Sequence, residues 1–161
     1  MKAARRSAED EVRHTRVMQA LAHRHGARMP EVDIRPFQPR SLEAMVTENA
    51  VEGCVRETFG ALVTAWQART SGDAEVRRAL GPISQDELRH AELAWAIDDW
   101  ASERLSPSAR DLVLQARRET LRMLEHEVGS QTPPEQLVRE AGVPSREQAL
   151  NLLHGLAVLV A

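Results

Sequence analysis

Residues 41–69 read SLEAMVTENAVEGCVRETFGALVTAWQAR, and residues 74–105 read AEVRRALGPISQDELRHAELAWAIDDWASERL. Neither stretch alternates apolar and polar residues as a strand does; both return apolar side chains every three or four positions, the helical period. Ser41, following Pro39-Arg40, suits an N-cap. Ser71-Gly72-Asp73 supplies a stop for the first helix and a cap for a second beginning at Ala74. The two long helices therefore form a hairpin about Gly72. Gly81-Pro82 predicts a kink or a broken turn near residue 80, because proline lacks the amide its turn requires.

Upstream of this hairpin, an earlier helix is expected from Ala8 to about His25. A connector containing Gly26, Pro30, Pro36 and Pro39 follows it. Ser106-Pro107-Ser108 ends the second long helix, a further helix is expected from about Ala109 to Val128, a short one spans Glu135 to Ala141, and a last one starts after Pro144. The chain reads as all-α, a four-helix bundle over residues 40–161 with an extra N-terminal helix and connector over residues 1–39.

A chain of 161 residues, 42% of them hydrophobic, is the size of one core. Lys plus Arg is 21 against 24 for Asp plus Glu, and a net charge of -3 argues against a nucleic-acid partner. Cys54, the lone cysteine, excludes a disulfide framework or a multi-thiolate zinc site within one chain. No apolar stretch of the length a secretion signal needs follows the basic residues Lys2, Arg5 and Arg6. The longest apolar run, Leu156 to Ala161, is far short of the roughly 20 residues that span a bilayer. These readings predict no membrane insertion and a cytoplasmic location.

At 100° per residue, the core stripe of the first long helix holds Leu42, Met45, Val55, Phe59, Leu62, Val63 and Trp66. Glu52 falls in its middle and Glu48 one turn earlier, whereas Glu57 points away and reads as a solvated carboxylate. The stripe of the second helix runs through Val76, Leu80, Ile83, Ala91, Ala94, Ile97 and Leu105, with Glu87 at its centre and His90 one turn on. The hairpin brings Glu52 level with Glu87 and His90. Carboxylates in an apolar layer cost several kcal/mol each unless compensated. Two compensations are open: a divalent cation, or the guanidinium groups of Arg56 and Arg117. A Glu on one helix with Glu-x-x-His on its neighbour is half of the di-iron or di-manganese site built in four-helix bundles.

In Glu-Asn-Ala-Val-Glu-Gly-Cys-Val-Arg-Glu (48–57) and Asp-Glu-Leu-Arg-His-Ala (86–91) the chain resembles the ferritin-like superfamily of ferritins, rubrerythrins and bacterial relatives. Glu52 and Glu87 are 35 residues apart, similar to the spacing in ferritins, and Phe59 stands where ferritins often carry Tyr. The resemblance covers about residues 42–105. It implies a ferritin-like fold and non-haem iron or manganese, held by Glu52, Glu87 and His90 with Glu48 as auxiliary. It also implies ferroxidase, peroxidase or oxygenase chemistry if the site is complete.

The second half departs from that pattern. Arg117 is centred in the stripe of the third bundle helix, Glu119 faces away, and the last helix has no Glu-x-x-His, only His154 and Glu147 at its edge. Tyrosine, the usual electron relay, is absent. A second reading is therefore a non-catalytic scaffold whose site Arg56 and Arg117 close. A third is an interaction module using the N-terminal arm and Trp100, with a homodimer as one form. Cys54 reads as a packing residue, and His14, His23 and His25 as solvated. No substrate is legible.

Overall fold

The computed structural model describes residues 2–28, 30, 32–33, 36 and 38–160. Among these the secondary structure is helical throughout, with no strand. The chain divides into two compact units, residues 1–41 and residues 42–161.

The first unit is built on helix α1 (Lys2–Arg24). It begins earlier than the expected Ala8, since Lys2-Ala-Ala-Arg-Arg is a run of strong helix formers. Arg13 pairs with Asp10 at 2.7 Å, and His14 Nδ1 lies 3.6 Å from Glu11, one turn away in each case. Gly26, at φ +75°, ends the helix. Its amide donates to His23 O and that of Ala27 to Ala22 O, the paired bonds of a Schellman cap. His23 and His25 are exposed, as expected, whereas His14, also expected in solvent, is buried.

The second unit opens with helix α2, one continuous rod in three parts: Leu42–Glu48 in α geometry, Asn49–Glu57 in π geometry and Thr58–Thr70 in α geometry again. Helix α3 (Ala74–Ser102) is capped by Asp73, whose Oδ1 accepts from the amide of Glu75 at 2.7 Å. It runs without interruption through Pro82, so the broken turn expected near residue 80 does not form. Helix α4 (Pro107–Ser130) starts with Pro at its first position and Ser106 Oγ accepting from Ala109 N. The short α5 (Glu135–Glu140) follows. In α6 (Arg146–Val160), Ser145 and Gln148 cap one another reciprocally.

Helix α2 is the hub, packing against α3, α4 and α6, while α4 also packs on α6. One core cluster joins Val46 and Ala50 of α2 to Ala101, Leu105, Ala109 and Val113. A second joins Val55 to Leu124, Val128, Ala149, Leu153 and Leu156. The order of these residues along each helix means that α2 and α4 ascend together and α3 descends beside α2. Arg117 and Thr120, both buried, occupy the α4 turns between the two clusters.

The α2–α3 turn is sealed by a distant segment. Gly72 N donates to Arg139 O at 2.8 Å, Asp73 N to Glu140 O at 3.1 Å, and Ser71 Oγ to Glu140 O at 2.5 Å. A Cβ on Gly72 would stand 2.6 Å from Arg139 O, and one on Gly142, at φ +66°, 2.6 Å from Ser71 N. Gly72 is required for space, and Gly142 for conformation as well. None of the described helices is long and apolar enough to cross a membrane.

Candidate metal-binding site

The π segment decides which carboxylates of α2 face α3. Its hydrogen bonds close over five residues rather than four, so each turn takes up one more residue and everything beyond it is rotated relative to an ideal α-helix. Gly53 allows the widened turn to lie against α3, where a Cβ in its place would be 2.7 Å from the Ala94 Cβ. Asn49 Nδ2 donates to Ala94 O at 2.9 Å and ties the start of the segment to the same point. At its end, Thr58 Oγ1 donates back five residues to Gly53 O at 3.4 Å and accepts the Trp95 Nε1–H at 3.2 Å.

This rotation corrects the expected stripe. Glu52, placed at its middle by uniform α geometry, is exposed, and so is Glu48. Cys54 turns fully inward instead, beside Val55, which is buried as the stripe predicts. Glu57, expected in solvent, is half-buried, with its Oε1 3.6 Å from His90 Nδ1. Glu87 Oε2 lies 3.8 Å from the same nitrogen, across one turn of α3. His90 is 4% exposed. The convergence of Glu87 and His90 thus holds, with Glu57 in the place expected for Glu52.

Each of Glu57, Glu87 and His90 offers a ligand atom, and these atoms lie within 4.8 Å of one another. Carboxylate oxygen and imidazole nitrogen bind a transition metal at about 2.0–2.2 Å, so two donors of one ion stand at most about 4.4 Å apart. The observed separations need only small side-chain adjustments to meet that limit. An O,O,N donor set suits iron, manganese or zinc better than a thiolate-seeking ion. Three side-chain donors also leave coordination positions for a small molecule.

The arginines considered as substitutes for a metal are engaged elsewhere. Arg56 makes two hydrogen bonds to Glu127 of α4, at 3.1 and 3.0 Å. That pairing holds the Glu127 carboxyl below its usual range and raises the guanidinium. Arg117 Nη2 lies 2.6 Å from Asp98 Oδ1, and its guanidinium sits 4.9 Å over the Trp95 ring. His154 is exposed and pairs with Glu125 at 3.2 Å, while Glu147 is exposed on the first turn of α6. Neither is part of the Glu57, Glu87 and His90 group.

Cys54 is fully buried. Burial first, then the nearby Asp98 carboxylate, pushes its thiol up to about 12, so it stays protonated and unreactive. Glu57 is the member of this group that helical periodicity misses. The signal for it lay in Asn49 and Gly53, two poor helix formers one turn apart inside an otherwise favourable helix. No protein-family model, curated protein or solved structure matches the chain.

Proposed function

We propose that the chain binds a divalent transition metal, iron or manganese, through Glu57, Glu87 and His90. The observation that carries this reading is the approach of two carboxylates from neighbouring helices to one buried imidazole. An ion there would compensate two negative charges that the hairpin draws inward. Iron or manganese so held supplies redox chemistry toward dioxygen or peroxide. The role of the protein residues is to fix the ion and to leave coordination positions open.

The ferritin-like resemblance belongs to the same proposal. A Glu on α2, Glu-x-x-His on α3 and the antiparallel course of those helices support it. One half-site, rather than the two of a complete ferritin-type centre, favours a single ion. A cytoplasmic location and a homodimer complete the reading, although the site requires neither.

The test is metal content per chain by mass spectrometry after anaerobic reconstitution with ferrous or manganous ion and removal of loose metal. Retention of about one ion by wild type, and its loss in Glu57→Gln and Glu87→Gln, is the expected result. A folded wild-type protein that retains none overturns the proposal and leaves the scaffold reading.

A further inference from the structure

Helices α2, α3 and α4 and the α3–α4 turn line a half-open pocket of about 110 Å³ apart from the His90 group. Val46, Leu105 and Val113 form its apolar wall, and Asp98, Arg110 and Arg117 its polar side. Two guanidinium groups face one carboxylate, so the lining carries a net positive charge. Arg110 is exposed, whereas Arg117 is only 8% exposed.

Arg117 is held but incompletely satisfied. The Trp95 ring supports one face of its guanidinium, and Asp98 takes Nη2. Its Nε is buried with no hydrogen-bond partner. Folded proteins seldom leave such a donor orphaned, and a guanidinium is suited to recognising a carboxylate through paired N–H groups. A cation would meet the repulsion of Arg110, and a wholly apolar molecule would leave the positive side of the lining uncompensated. The volume admits only a few heavy atoms, well below an ordinary drug-sized site.

We propose that this pocket binds a short-chain monocarboxylate, its carboxylate drawn to Arg117 and Arg110 and its aliphatic end against Val46, Leu105 and Val113. The site is independent of the metal reading, since it shares no residue with it.

The experiment is a titration of the full-length ¹⁵N-labelled protein with sodium butyrate, using sodium chloride and butylammonium chloride at equal ionic strength as controls. Butyrate alone is expected to give saturable shifts of the Arg117 Nε–H and Trp95 Nε1–H resonances. Arg110→Gln, a surface change that leaves the core intact, should weaken binding at least about tenfold, as loss of a hydrogen bond to a charged group does. Three outcomes overturn the proposal: no saturable shift with butyrate, equal shifts with chloride, or unchanged affinity in Arg110→Gln.

Discussion

Gly53 of α2 stands so close to Ala94 of α3 that a methyl group added to the glycine would lie 2.7 Å from the alanine Cβ. The contact seats the π segment on α3, and with it the register that turns Glu57 toward His90. Gly53→Ala should therefore destabilise the fold by about 1–3 kcal/mol, overpacking outweighing the gain in helix propensity. Gly60→Ala, in the same helix with nothing within 4 Å of its added Cβ, should stabilise by about 0.5–1 kcal/mol. Urea unfolding of the two variants checks the opposite signs.

Exchanging the roles of two glutamates separates the observed register from the ideal one. Glu57→Gln should weaken metal binding by at least about a hundredfold, beyond what loss of a supporting residue causes. Glu52→Gln, on an exposed position, should leave it within about threefold of wild type, the ordinary scale of a remote surface change. Competition against a chelating dye measures both, and equal losses would show that the π register does not govern the site.

The Asp98–Arg117 pair is the buried ion pair between the two core clusters, its side chains 13% and 9% exposed. Asp98→Ala strands the guanidinium and should cost about 3–5 kcal/mol. Asp98→Leu combined with Arg117→Met should recover most of that loss, because both charges leave together. A double-mutant cycle in urea gives the coupling.

Cys54 provides a clock for opening. With its thiol held near 12, a small alkylating reagent at pH 8 should modify it only through unfolding, at a rate that follows denaturant as global stability does. The unfolded thiol ionises near its ordinary value of 9.0, so the raised folded value also means that stability contributed below that pH is lost above it. Cys54→Ser or Cys54→Ala should flatten this alkaline limb.

On the acid side, the Arg56–Glu127 pair has the opposite sign. The folded Glu127 carboxyl lies below its ordinary 4.5, so the stabilisation is present above that pH and is lost as pH falls through the depressed value. Glu127→Gln should remove part of the acid-limb slope in thermal melts, and high salt should reduce the difference between the variants, as expected for an exposed pair.

The parts of this protein legible in the residues were those set by local chemistry. Asp73 announces a helix start because its side chain replaces a missing amide partner, and it caps as expected; Ser106, read only as part of the stop of the preceding helix, caps the next one as well. Glu87 and His90 were legible because α3 keeps one period from end to end. Glu52 was misplaced because the period changes inside α2, and that change depends on a contact with Ala94, 41 positions along the chain from Gly53. Arg117 fell on the buried stripe as its spacing indicates. Its partner Asp98, on a different helix, could be located only once α3 and α4 were both packed on α2.

The sealed turn at Gly72 has a consequence for how the chain is made. Helices α2 and α3 are neighbours in sequence, but the amides of Gly72 and Asp73 find their acceptors on residues 139 and 140. During synthesis those amides must remain hydrated until the later segment leaves the ribosome, long after both arms of the hairpin have emerged. The tip between two of the earliest bundle helices is thus among the last places in this unit to become dry.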